Sequence, residues 1–305
     1  MKILSWNIQW GRGLDGRVDL ARIAEAAREH DPDVLCLQEV AVNHPGLPGG
    51  AGMHQPDWLA GLFLGYEAAF GVASDLPDGL GGRRQFGNLI LSRLPLLHIF
   101  RHLLPWPAEA GVPSMQRAAL EAVVAAPDHP GGALRIITTH LEYFSAAQRA
   151  AQCIALRQIA DAGWRQSACP PAGSDLDPPF AVLPRGEGCL LCGDFNAPAG
   201  APEQEALLRQ GDAPAFVNAW LVAHPAVPTG AADTVVAVPI NAADTAVAVP
   251  PAPTFGVHER RYVREPACYD MFYVSTNLAA SVVDVIVDQG TMASDHQPVV
   301  LTLYD

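Results

Sequence analysis

The run Cys192-Gly193-Asp194-Phe195-Asn196 closes an apolar stretch, and Ser294-Asp295-His296 stands about a hundred residues later. A buried strand ending in Gly-Asp-x-Asn delivers a carboxylate and an amide to one small volume. A late Asp-His pair can bring a second carboxylate and an imidazole to the same place. That set suits a metal-assisted attack of water on a phosphate ester. Either run alone is a weak signal, so the weight falls on further polar residues placed in the same way.

Asn7 ends Ile3-Leu-Ser-Trp6, Glu39 ends Val34-Leu-Cys-Leu-Gln38, and His140 ends Ile136-Ile-Thr-Thr139. Asp270 instead precedes Met271-Phe-Tyr-Val274, as expected of an antiparallel strand that starts at the same rim. In open α/β sheets ligands sit beyond the carboxyl ends of strands. Glu39, Asp194, Asp270 and Asp295 would then converge, and clustered carboxylates raise one another's pKa unless a cation or imidazolium intervenes. Oxygen donors suit Mg²⁺, or Mn²⁺, better than zinc. Each residue taken singly has a plainer reading. Asn7 could be a strand-end turn residue, His140 a core histidine, and Asp270 a partner of Arg260 or Arg261.

The elements that must position these residues can be read from periodicity and punctuation. Lys2–Asn7 reads as a strand, Val18–His30 as a helix stopped by Asp31-Pro32, and Asp33–Gln38 as a second strand, together a βαβ unit. Val42–Met53 reads as loop, and Gly61–Phe70 and Asn88–Ser92 as strands. Ala118–Ala125 and Ala133–Thr139 suggest a hairpin, and Ser145 the cap of a helix to about Ala162. A Pro-rich loop, Arg165 to Gly188, precedes the strand Cys189–Gly193. Residues 231–250 hold a near-repeat, Ala-Ala-Asp-Thr-Val-Val-Ala-Val-Pro then Ala-Ala-Asp-Thr-Ala-Val-Ala-Val-Pro. It could form a hairpin arm, Thr234–Val238 against Thr245–Val249, or be a tolerated surface duplication.

With 305 residues and no low-complexity linker, one α/β domain spanning 1–305, with a surface insert at about 231–250, is the expectation. Half the residues are hydrophobic and 17% are charged, which excludes a disordered chain. A net charge of −13 argues against a broad cationic surface for duplex nucleic acid. No run is long and apolar enough for a membrane span or a secretory signal, so a cytoplasmic location is expected. Cys189 and Cys192 have zinc-like spacing, but a three-residue offset on a strand turns them to opposite faces. The six cysteines are read as buried free thiols.

The runs Ser5-Trp-Asn7, Leu37-Gln-Glu39, Gly87-Asn-Leu-Ile-Leu-Ser-Arg93, Thr139-His-Leu141, Gly193-Asp-Phe-Asn196, Pro253-Thr-Phe255, Tyr269-Asp-Met-Phe-Tyr-Val-Ser275 and Ser294-Asp-His296 span nearly the whole chain. In kind and order they resemble the endonuclease/exonuclease/phosphatase, or DNase I-like, superfamily. The resemblance implies a four-layer α/β sandwich, two central mixed β-sheets packed face to face with helices outside. It implies a Mg²⁺-dependent hydrolase in which Glu39 is the main metal ligand, helped by Asn7 and Asp295. Asp194 would activate or align the attacking water, and Asn196 orient the phosphate. His296 would act as acid/base or charge stabiliser, oriented by Asp270, and His140 would bind a phosphate oxygen. Asn88 and Arg117 are further substrate-binding candidates, although Arg117 reads equally well as a solvated edge residue. Where the family commonly carries Asp-Tyr-Ile, this chain has Asp270-Met-Phe. The substrate would be a phosphate ester, lipid-derived, small-molecule or nucleic acid, and no protein partner is expected. The competing reading is a non-catalytic binding module on the same fold.

Overall fold

A strand buried on both faces sends alternate side chains into two different cores. Ile3 and Cys36 face one core and their neighbours Leu4 and Leu35 the other. Leu190 and Cys192 likewise share the first core, whereas Cys189 and Leu191 join a third. Three cores separated by two sheets are the signature of a layered sandwich. The computed structural model describes residues 1–173, 177–228, 246, 247 and 249–304.

In chain order the elements are β1 (Lys2–Asn7), α1 (Leu20–Arg28), β2 (Val34–His44), β3 (Ala51–His54), α2 (Gln55–Leu62), β4 (Glu67–Pro77) and β5 (Arg83–Ser92). Then follow β6 (Leu96–Leu103), β7 (Ala118–Ala125), β8 (Ala133–His140), α3 (Ala146–Ala168) and β9 (Gly188–Asp194). The last group is α4 (Glu205–Leu208), β10 (Phe216–Asn218), α5 (Ala219–Ala223), β11 (Val227–Pro228), β12 (Ala246–Val247), β13 (Asp270–Ser275), β14 (Val282–Val287) and β15 (Val299–Leu303).

One sheet has the order β14-β15-β1-β2-β5-β4, with β3 on the end of β2, and the other β10-β13-β9-β8-β7-β6. Each contains a single parallel pair, β1 with β2 and β8 with β9, so both sheets are mixed. Their inner faces meet through Ile3, Cys36, Ile90, Leu120, Ile136, Leu190 and Phe272. Helices α1 and α2 cover the outside of the first sheet, with Ile23, Ala27 and Leu59 packed on Leu4, Leu35 and Leu37. Helix α3 covers the second, placing Cys153, Leu156 and Ala160 on Ile137 and Leu191. This is the expected four-layer α/β sandwich.

Several boundaries differ from the sequence reading. Gly61 and Leu62, expected to open a strand, instead end α2, whose start the His54 imidazole caps with Pro56 in the first turn, and the strand begins at Glu67. Strand β2 runs to His44 and pairs with β3, so much of the expected 42–53 loop is sheet. Helix α1 begins at Leu20, where the Asp19 carboxylate accepts from the amides of Ala21 and Arg22. Ser145 caps α3 as expected, but the helix continues to Ala168. All six cysteines are free, and Cys36, Cys153, Cys189 and Cys192 are buried, whereas Cys169 is exposed and Cys268 half-buried. Of the expected 231–250 arm, only Ala246–Val247 and residues 249 and 250 are described. The first two pair with Val227–Pro228, and the rest of the arm lies outside the described residues.

Candidate active site

Strand register assembles the site. Asn7, His140 and Asp194 are the last residues of β1, β8 and β9, and Asp270 is the first of β13. Asp194 is the direct pairing partner of both His140 and Asp270, so three functional side chains stand on adjacent strands. All four residues continue inner-face rows: Ile3-Ser5-Asn7, Ile136-Thr138-His140, Leu190-Cys192-Asp194, and Asp270-Phe272-Val274. Gly193 permits this approach. It has a φ of 129°, and a Cβ there would lie 1.9 Å from the carbonyl oxygen of Thr139.

Glu39 reaches the site differently from its sequence reading. It does not close a strand; it is the extra residue of a bulge, where the β2–β5 register shifts between Leu37 and Val40. In a regular strand Glu39 would point to the α1/α2 side, as Leu37 does. With a φ of 59° it instead bends to the rim, and Val40 returns to the outer core. Gln9, Trp10 and Asn196 also hold positive φ angles of 44°, 45° and 49°. Strained backbone of this sort collects at functional sites, where surrounding contacts enforce it.

The side chains then interlock. The Asn7 amide nitrogen donates to Glu39 Oε1 at 3.1 Å and to Asp194 Oδ2 at 3.0 Å. Its carbonyl oxygen accepts from the Gln9 amide at 3.0 Å. His140 Nε2 and His296 Nε2 flank the same Asp194 oxygen at 3.5 and 3.6 Å. His296 Nδ1 is 2.7 Å from Asp270 Oδ2. The amide of Asn196 donates to Asp194 Oδ1 at 2.8 Å, while its side-chain nitrogen donates to Leu141 O at 2.8 Å. Asp295 accepts from Gln9 Nε2 at 2.6 Å. Asn88 and Arg117 line a small pocket with His140. There the Asn88 amide donates to Ala118 O, and Arg117 is buried against Glu142 at 3.2 Å. Asp270 is not the partner of Arg260 or Arg261, which pair with Glu265 and Glu259.

Six residues that were not singled out for roles hold this set in place. Gln9 links Asn7 to Asp295, and Glu142 anchors Arg117. Thr254 Oγ1 accepts from the amides of Tyr269 and Asp270, and the Phe255 ring stacks on His296 at 4.5 Å. Ser294 Oγ donates to Asn7 O, and Trp6 Nε1 to His296 O. The Ser5-Trp-Asn, Pro253-Thr-Phe and Ser294-Asp-His runs carried a signal for four of these, Trp6, Thr254, Phe255 and Ser294. The Gln9–Asp295 contact joins residues far apart in sequence and leaves no local trace.

Electrostatics separates the roles. Burial pushes Glu39 up to about 7, and the nearby Asp295 adds to the rise. Burial also raises Asp295. His140 is driven down to about 3 by burial and then by Arg117, so its imidazole is neutral. For His296, burial opposes charge, but Asp270 and Asp194 outweigh it and hold the ring cationic. Burial would raise Asp194, yet the His296 cation, with hydrogen bonds from Asn196 and Asn7, overcomes that and keeps it ionised. A carboxylate free to take a proton therefore sits beside a cationic imidazole and a neutral one.

A family model described as Endonuclease/Exonuclease/phosphatase family matches residues 4–296. The chain belongs to this family. A search of the curated proteins finds no match. Among solved structures, an endonuclease/exonuclease/phosphatase from Beutenbergia cavernae DSM 12333 is 23% identical with a TM-score of 0.64, covering 99% of this chain and 71% of its own. A mannosyl-6-phosphatase from Bacteroides thetaiotaomicron VPI-5482 is 15% identical with a TM-score of 0.62, covering 100% of both chains. A 3′ phosphatase from Neisseria bound to a product DNA hairpin is 18% identical with a TM-score of 0.59, also covering 100% of both. At these identities the neighbours establish the fold. Family members are hydrolases of phosphate esters and generally use a divalent metal.

Two donor groups could hold a cation. Asp194, Asp270 and His296 offer ligand atoms all within 4.8 Å of one another. His296 Nδ1 already pairs with Asp270 Oδ2, so a cation here would have to displace a His296 proton, although Asp270 Oδ1 is buried without a partner among the described residues. Glu39 and Asp295 offer oxygen donors only, and Glu39 keeps 18% of its side chain open to solvent. The raised Glu39 carboxyl is what a cation would hold ionised. Asn7 faces this place with its nitrogen, so as a metal ligand it would have to turn its amide over. Among the described residues no helix is long and apolar enough to cross a membrane.

Proposed function

We propose that the protein is a Mg²⁺-dependent phosphoesterase that cleaves a phosphodiester or phosphomonoester by attack of an activated water. The observation that carries this reading is Asp194, an ionised buried carboxylate flanked by two imidazoles and a carboxamide at the rim between the sheets. Glu39 and Asp295 would hold the cation, with Asn7 assisting, and the bound ion supplies positive charge against the phosphate oxygens. Asp194 takes the proton of the attacking water. Cationic His296, fixed by Asp270, offers Nε2–H to the charge developing on the phosphoryl group. Neutral His140, Asn88, Arg117 and Asn196 bind and orient phosphate oxygens.

The chain is taken as one domain over 1–305 with an insert at 231–250. Its charge of −13 favours a small or lipid-derived ester over duplex DNA. The test is turnover with Mg²⁺ or Mn²⁺ on bis-p-nitrophenyl phosphate, p-nitrophenyl phosphate, plasmid DNA, single-stranded RNA and sphingomyelin. Metal-dependent release from at least one supports the reading. No turnover of any, with the metal bound, would favour a non-catalytic module.

A further inference from the structure

At the opposite end of the second sheet from His140 and Asp194 lies a cavity of about 720 Å³, between β6, the end of α3 and residues 181–187. Gly131 and Gly186, just before β8 and β9, line it. The length of β8, eight residues at about 3.3 Å each, therefore puts it roughly 20 Å or more from the catalytic rim. Its size is that of a small-molecule site, and its walls are mainly apolar, including Phe100, Val182, Leu183 and Pro184.

Arg185, on the cavity wall, belongs to a cluster behind it in which guanidinium groups outnumber the carboxylate. Glu121 is fully buried, and two arginines share its Oε1: Arg135 Nε at 2.9 Å and Arg185 Nη1 at 3.1 Å. His102 Nε2 takes the other oxygen at 2.9 Å. One carboxylate thus faces two guanidinium groups that are 2% and 12% exposed. Arg135 spends its remaining donors on the carbonyls of Ala160 and Ile159. Arg185 is less complete. Its Nε donates to Gln166, its plane lies over Phe100 at 4.0 Å, and its Nη2 has no partner among the described residues. Glu187, the acidic residue on this wall, is exposed to solvent, which screens it.

We infer that this cavity is a second, non-catalytic binding site for a small aromatic anion, its flat apolar body held against Phe100, Leu183 and Pro184. Its acidic group meets the free edge of Arg185. Arg185 Nη2, unpartnered among the described residues, is open to the solvent-filled cavity, and an anion seated here would give it a charge-assisted hydrogen bond. A neutral aromatic of the same shape gains only the apolar contact.

The probe is 8-anilinonaphthalene-1-sulfonate, titrated into the full chain and followed by its fluorescence. One saturable site is expected. Arg185→Gln should weaken it at least tenfold, and the uncharged N-phenyl-1-naphthylamine should bind the parent at least tenfold more weakly than the sulfonate. Because Arg185→Gln alters the Glu121 cluster, Ala181→Trp supplies an independent test. It fills the cavity from an exposed wall position, and should abolish binding with the melting temperature unchanged. Asp194→Asn should leave the affinity as it is. Equal affinity in Arg185→Gln, equal affinity for the neutral dye, retention in Ala181→Trp, or loss in Asp194→Asn would each overturn the inference. The last would place the dye in the catalytic cleft.

Discussion

Glu39→Gln should stabilise the metal-free protein at pH 8 while disabling it. Burial and Asp295 raise the Glu39 carboxyl from an ordinary 4.5 to about 7. A folded-state value above the unfolded one means the folded chain holds the proton more tightly. Stability therefore falls as pH rises from about 4.5 and is lowest above about 7. The difference is worth up to about 3 kcal/mol. Glutamine removes the charge and keeps the shape, so it recovers that amount at pH 8. For a chain of this length it corresponds to about 5 °C in melting temperature, at roughly 2.1 cal/mol/K per residue. At pH 5, where the parent carboxyl is itself protonated, the gain should shrink to under about 1 kcal/mol. A thousandfold excess of Mg²⁺ over Kd should reverse the order, because the parent then gains about 4.1 kcal/mol and the variant little. The assay is calorimetry at pH 5 and pH 8, with EDTA and with Mg²⁺. A Glu39→Gln protein that melts lower than the parent at pH 8 in EDTA would refute the electrostatic reasoning. One that Mg²⁺ stabilises as much as the parent would refute the ligand assignment.

Other outcomes follow from the same geometry. The proton on Glu39 competes with the cation, so Mg²⁺ affinity by calorimetric titration should fall about tenfold per pH unit below about 7 and level off above it; a flat profile would place the metal elsewhere. Crystals soaked in Mn²⁺ should show an anomalous peak beside Glu39 and Asp295, and a peak centred among Asp194, Asp270 and His296 would contradict that. Asp270→Asn strips His296 of its counter-charge and should lower kcat by about 10²-fold or more with KM little changed, the imidazole nitrogen resonances moving to a lower pKa by NMR. Gln9→Ala releases Asp295 while keeping the backbone N–H that Asn7 accepts from, and should weaken Mg²⁺ affinity about tenfold while leaving the melting temperature within 2–3 °C, roughly 1–2 kcal/mol.

The sequence made the site legible wherever period-two alternation runs unbroken to a strand end. Asn7, His140 and Asp194 close β1, β8 and β9, and Asp270 opens β13, as their neighbours suggest. Glu39 follows a buried run but does not end its strand, which continues through a bulge to His44. A bulge is set by the register with β5, which no local pattern announces. The strand expected at 61–70 begins only at Glu67, and the helix at 55–62 has few apolar residues and purely positional start signals, His54 and Pro56. The Asn7 amide orientation depends on Gln9, and the Gln9–Asp295 bond spans most of the chain. The Gln9–Asp295 bond exists only once β15 has paired with β1.

The most direct test of the proposed chemistry is release of p-nitrophenol from bis-p-nitrophenyl phosphate by the parent and by Asp194→Asn, each with Mg²⁺ and with EDTA. Asp194 carries the water-activating role, so the expected result is release that requires Mg²⁺ and falls by about 10²–10⁴-fold in the variant, with its fold intact by circular dichroism. Metal-independent release, or a folded Asp194→Asn protein within tenfold of the parent, would contradict it.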